Sequence, residues 1–196
     1  GSWSWWPDMR GSWYMTVSIS QMFVRLQQMV PMSKNNSQAT VNSHPSPLTS
    51  HLSPLTSHLE KMLDRSFKFM GDEAVELVNE MKRMEKEYGV KPTFPSHTTL
   101  EWLYLCTLDG RKLPSKVQEA NSYLVKLLKK EIKNQSIYDK AMTAIILDNK
   151  TYVKSLKEYT VYREDMGRYY DTDRALYSWR DYRIPTQVAT IEALQR

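Results

Sequence analysis

The stretch His97-Thr98-Thr99-Leu100-Glu101-Trp102-Leu103-Tyr104-Leu105-Cys106-Thr107-Leu108-Asp109-Gly110 carries the first decision about the fold. Between Leu100 and Leu108 it is almost wholly apolar, and its polar side is too thin for a helix that faces water along one flank. With Ser96 opening it and Asp109-Gly110 as a turn, the spacing predicts a helix enclosed by others. Pro114-Ser115 then starts an amphipathic pattern, with Val117, Ala120, Leu124, Leu127, Leu128 and Ile132 on one face and a Lys-rich back, ending at Asn134. Ser136 caps another apolar helix through Tyr138, Ala141, Met142, Ile145 and Ile146. A further amphipathic helix is expected from about Lys150 to Met166, through Val153, Leu156, Tyr159 and Tyr162. Enclosed and amphipathic helices alternate across short turns, the pattern of helical pairs wound in sequence around a centre, although an up-down bundle has the same spacing. Six glycines and no alternating β-branched run of useful length make the reading all-α.

Upstream, a helix is expected from Ser12 to about Met29, where Met15, Ile19, Met22, Phe23, Leu26 and Val30 recur at helical spacing and Pro31 ends the pattern. From Met32 to Leu55 the composition shifts to Ser, Asn, Thr, His and Pro, and Ser46 to Leu52 is duplicated as Ser53 to Leu59. Pro47 and Pro54 read as helix breaks, so an exposed connection is expected there. His44, His51 and His58 share a seven-residue spacing that the duplication explains, and no Cys or carboxylate joins them as a metal ligand. Helical pattern resumes near Ser57 with Leu59, Met62, Leu63 and Phe67. Gly71 should punctuate it, Asp72 should cap the next helix, and Gly89 should close that one after Tyr88. The chain thus divides into residues 1–30, an aromatic turn with the first helix; 31–56, a flexible insertion or linker; and 57–196, the helical pairs.

At 196 residues the chain suffices for one domain that buries roughly 70% of its unfolded surface, with no disulfide or metal needed. The formal charge of +5 is spread through the helices. Lys126, Lys129, Lys130 and Lys133 are interrupted by Glu131 on one polar face, so a nucleic-acid partner is not expected. No run of apolar residues is long enough to span a membrane. The single Cys106 lies in the apolar run and reads as a core thiol. His97 has no evident partner and reads as a residue of the helix start. Asp171-Thr172-Asp173 beside Arg174 reads as turn and cap chemistry rather than a metal site. Glycan cleavage would require two carboxylates across an aromatic-lined cleft. Its candidates are Glu164, Asp165, Asp171 and Asp181 among Tyr169, Tyr170, Tyr177, Trp179 and Tyr182, with Trp3, Trp5, Trp6 and Trp13 at the other end of the chain. Repetition of the rings before both terminal helices favours packing at a rim. No phosphate loop, nucleophile elbow, His-Glu-x-x-His or Cys pair is present, so no catalytic, cofactor or metal residue is assigned.

Three segments together resemble the thioester domain of bacterial alpha-2-macroglobulins, the α/α toroid that complement proteins share. They are GSWSWWPDMRGSWYMT at residues 1–16, TTLEWLYLCTLDGRK at 98–112 with the run Lys154 to Glu158, and GRYYDTDRALYSWRDYRIPTQVATIEAL at 167–194. The resemblance implies a partial toroid of inner and outer helices within a large secreted or periplasmic protease trap, often lipid-anchored. Its partners would be the other domains of the same polypeptide and the target proteases, and this segment would be non-catalytic. Family members with a Cys-x-Glu-Gln motif hold an internal thioester for covalent capture, and that motif is absent here. The stop at Arg196, in mid-helix, is read as a cut through a longer protein. The rival expectations are a carbohydrate-active toroid and a stand-alone helical interaction module.

Overall fold

Ser12 opens the first helix as its type predicts. Its hydroxyl accepts the Met15 N–H at 3.3 Å, satisfying one of the free N–H groups at the helix start, and its carbonyl accepts the Thr16 N–H at 2.9 Å as the first bond of the helix. The computed structural model describes residues 1–29, 47–130, 135–171 and 183–195, with main chain alone at 29, 47–56 and 183. Among these residues there are seven α-helices and one two-stranded hairpin, so the chain is all-α in character. It forms two compact units, Gly1–Glu73 and Ala74–Arg196.

The first unit holds α1 (Trp13–Met29) and the first part of α2 (Pro47–Tyr88). The preceding aromatic turn folds back on the start of α1, because Trp3 donates its N–H to Thr16 Oγ1 at 3.0 Å and accepts the Ser12 N–H at 2.7 Å. The Trp3 ring packs 5.9 Å from that of Phe23, centroid to centroid. Arg10 reaches Glu73 at 3.2 Å. Val17, Val24, Leu63, Phe67 and Met70 are buried in this unit, whereas Trp5 and Trp6 are 63% and 69% exposed.

Helix α2 corrects two expectations. It begins at Pro47, passes Pro54 and runs through Gly71 and Asp72 without a break. Proline at a first helical position brings the required φ and loses no bond, so Pro47 marks a start. Pro54 forgoes the bond to the Ser50 carbonyl. Gly71 does not end the helix because Leu63, Phe67, Met70, Ala74 and Val78 keep helical phase across it and are all buried. That burial outweighs the roughly 1 kcal/mol penalty of an interior glycine. Gly89 is the C-cap, with φ +66° and its N–H on the Glu85 carbonyl at 3.0 Å.

In the second unit, α3 (His97–Asp109), α4 (Ser115–Leu128), α5 (Ile137–Leu147), α6 (Lys150–Leu156) and α7 (Arg183–Leu194) follow the end of α2. Helix α5 packs against α3, α6 and α7. Residues 99–105 of α3 and 141–145 of α5 are all buried, whereas α4 buries one face only. Ser96 accepts the Thr99 N–H and Ser136 the Asp139 N–H, so both enclosed helices have the caps expected of them. Gly110, at φ +69°, ends α3.

The helix expected to reach Met166 stops at Leu156. A 3-10 turn at Lys157–Tyr159 leads into β1 (Thr160–Arg163), which pairs antiparallel with β2 (Gly167–Tyr170) in the register Thr160↔Tyr170 to Arg163↔Gly167. Leu156 is buried, but Tyr159 and Tyr162 are 43% and 66% exposed, so the apolar face that α6 packs ends at Leu156. Thr160, Val161 and Tyr162 favour extended backbone, and Gly167 supplies φ +72° at the reversal. The hairpin is tied to α7 by Gln187, whose amide donates to the Tyr170 carbonyl at 2.7 Å and accepts the Tyr170 N–H at 3.2 Å. Gly167→Ala is expected to destabilise by about 1 kcal/mol through the left-handed backbone alone, since nothing lies within 4 Å of an added Cβ. Urea unfolding checks this.

Candidate functional site

The polar side chains of the enclosed helix α3 are where the structure concentrates its chemistry. A buried polar group without a partner costs 1 to 3 kcal/mol, roughly, so each must reach a neighbour. They reach three different helices. The indole of Trp102, fully buried, donates to Asn121 Oδ1 of α4 at 2.8 Å. The Tyr104 hydroxyl, also buried, donates to Glu192 of α7.

His97, the first residue of α3, meets Asp139 in the first turn of α5, with Nδ1 to Oδ1 at 2.8 Å. Its Nε2 lies 3.4 Å from Oε1 of Glu101, one turn along α3. The His97 and Glu101 side chains are each 12% exposed, and the Tyr138 ring packs 5.7 Å from the imidazole. This corrects the expectation of a histidine without a partner. Burial alone would lower the His97 pKa. The hydrogen bonds to Asp139 and Glu101, followed by the charges of the same two carboxylates, outweigh it and raise the pKa to about 9. The ring is therefore an imidazolium at neutral pH, held at both nitrogens. In that form it has no lone pair with which to take a proton or bind a metal.

Cys106 lies nine residues further along α3, about 13 Å up the helix axis, too far for a Cys-His pair. Burial raises its pKa above that of an ordinary thiol, with the Asn121 amide 3.6 Å from Sγ acting in the opposite direction. The native thiol is expected to react with a disulfide reagent at pH 8 at least roughly tenfold more slowly than in urea, measured by absorbance stopped-flow.

Among the described residues the other sequence candidates do not gather. Glu164 and Asp165 are exposed at the hairpin tip, where Asp165 pairs with Arg163 at 3.3 Å. Asp171 is exposed, Tyr170 is buried, and Thr172, Asp173, Arg174, Tyr177, Trp179, Asp181 and Tyr182 lie outside the described residues. The same is true of Lys133 and His44, and His51 is described by main chain only. Lys126, Lys129, Lys130 and His58 are exposed. Among the described residues no group of three His, Cys, Asp or Glu side chains could hold a metal ion, and no helix is long and apolar enough to cross a membrane. Sequence reasoning missed Glu101 and Asp139. The i, i+4 spacing of His97 and Glu101 was a visible signal, whereas Asp139, 42 residues away, left none. No protein-family model matches this chain, and neither a curated protein nor a solved structure matches it.

Proposed function

We propose that this chain is a non-catalytic, structural part of the thioester-like α/α toroid domain of a large bacterial alpha-2-macroglobulin-like protein. That protein would inhibit endopeptidases by entrapment. The observation that carries the reading is the alternation of enclosed α3 and α5 with one-faced α4 between them, as inner and outer toroid helices would alternate. The three segments that resemble the family lend independent support. His97, Trp102 and Tyr104 of α3 are each committed to a different neighbouring helix, a rigid arrangement suited to a folded body against which other domains move.

In such a trap, cleavage of an exposed bait segment lets the molecule collapse around the protease. No residue here matches Cys-x-Glu-Gln, and Cys106 is followed by Thr107-Leu108-Asp109, so this chain takes no part in covalent capture. The other domains of the same polypeptide are its partners, and the exposed Trp5, Trp6 and Met9 offer apolar surface for them. The whole protein would be periplasmic or at the cell surface, reaching a membrane only through a lipid anchor elsewhere in its chain.

The test uses the full-length protein mixed with a general protease and assayed in parallel on a large protein substrate and a small chromogenic peptide. Loss of large-substrate cleavage with peptide hydrolysis retained is the expected result. Unchanged cleavage of both removes the trap reading. The second reading, a carbohydrate-active or carbohydrate-binding toroid, draws on the exposure of Trp5 and Trp6, since indole faces stack on sugar rings. Quenching of tryptophan fluorescence by oligosaccharides would favour it.

A further inference from the structure

A half-open cleft of about 300 Å³ lies where the end of α5, helix α6 and the end of α7 meet. Its accessible apolar lining is Val153 of α6 and Leu194 of α7, both half-buried, with the fully buried Ile145 and Ala193 beneath. Its charged lining is Lys150, Lys154 and Lys157 against the single carboxylate of Asp148. Glu158, next in sequence, is not part of the lining.

Three features make this lining unusual for a solvated face. The lysines recur at i, i+4 and i+7 through α6 and into the 3-10 turn, so each is about one turn along the chain from another, and like charges at that spacing repel. Lys150 is the first residue of α6, where the helix dipole disfavours a cation. Among the described residues none of the three forms an ion pair that would relieve either effect. The helix dipole favours Lys154 and Lys157 at the other end of this seven-residue helix, so the costs are the mutual repulsion and the position of Lys150, and a bound anion would offset both.

We propose that this cleft binds a small organic dianion with a compact apolar body, a phosphate monoester of an aryl or short alkyl group. Three ammonium groups and one carboxylate leave two positive charges, which a phosphate monoester matches at neutral pH. Lys150, Lys154 and Lys157 would donate to its oxygens. The ring or short chain would lie against Val153 and Leu194, the half-buried apolar side chains of the lining. The volume is at the lower end for small-ligand sites, too small for a long acyl chain.

Titration calorimetry of the intact chain at low salt, with phenyl phosphate as the probe, tests the proposal. Inorganic phosphate isolates the charge and benzyl alcohol isolates the apolar body. Phenyl phosphate is expected to bind with a submillimolar Kd that weakens as salt is added. Inorganic phosphate should bind at least roughly fivefold more weakly, and benzyl alcohol not at all. Lys150→Gln with Lys154→Gln should weaken phenyl phosphate at least tenfold, roughly, without lowering the thermal midpoint, because both side chains are exposed. Lys126→Gln on α4, outside the cleft, is the control and should change nothing. No binding at 10 mM, on the order of the weakest useful affinity, overturns the proposal. So does equal binding to the double variant, and equal affinity for inorganic phosphate removes the apolar contact on which the ligand class depends.

Discussion

Asp139→Asn is expected to destabilise the protein by about 2 to 3 kcal/mol at pH 6, and to flatten its stability profile between pH 6.5 and 9. The His97 pKa stands at about 9 against an ordinary 6.5, and every tenfold gain in proton affinity corresponds to about 1.4 kcal/mol. Because the folded pKa is the higher one, the contribution is fully present below pH 6.5. It is lost as pH rises through about 9, where the folded protein also releases the proton. The side chains of His97 and Glu101 are 12% exposed and that of Asp139 25%, so solvent screens only part of it, most at Asp139. Urea unfolding at half-unit pH steps should show the parent losing about 3 kcal/mol across that window from this group. Asp139→Asn should lose much less, and His97→Gln should have no such slope. If the parent and His97→Gln fall in parallel, the clamp between α3 and α5 contributes nothing measurable. A proton titration of the His97 ring by NMR gives the same answer without unfolding the chain.

A loss of about 3 to 5 kcal/mol is expected for Trp102→Ala, the cost of emptying a fully buried aromatic site. That is a large share of the roughly 5 to 15 kcal/mol that holds a natural domain folded. The cavity would open beside α4, where Asn121 loses the indole donor now 2.8 Å away. Trp102→Phe separates the two effects, since it keeps most of the volume and removes the hydrogen bond, and should cost about 1 to 2 kcal/mol. The readouts are the urea midpoint and slope, the slope showing whether the second unit still unfolds as one piece. Asn121 also contacts Cys106 Sγ at 3.6 Å, so the thiol in Trp102→Ala should react faster with a disulfide reagent than in the parent. An alanine variant within 1 kcal/mol of the parent, roughly, would mean that α3 is not the enclosed helix its burial indicates.

Much of the architecture could be read along the chain wherever a signal acts over a few residues. Ser12, Ser96 and Ser136 each accept an N–H three residues on, and Gly89 and Gly110 adopt the positive φ of helix ends. The thin polar side of residues 100–108 correctly predicted a helix enclosed on all sides. Reading failed where local preference and burial disagreed. Pro54 and Gly71 are weak helix residues, yet α2 passes both, and past Gly71 it is held by an apolar stripe from Leu63 to Val78. Tyr159 and Tyr162 have helical spacing with Leu156, yet they are exposed and the chain turns into a hairpin.

The sequence by itself determined the all-α class, the serine starts of α1, α3 and α5, the glycine ends of α2 and α3 and the enclosed character of α3 and α5. All of these depend on contacts within about one helical turn. Only the tertiary structure decided that Asp139 keeps His97 protonated, that Gln187 holds the hairpin, and that three lysines line a cleft floored by α5 and α7. Each of these joins residues distant along the chain. Such pairs are selected by the packing of whole helices, and that packing leaves no periodic trace in the order of the residues.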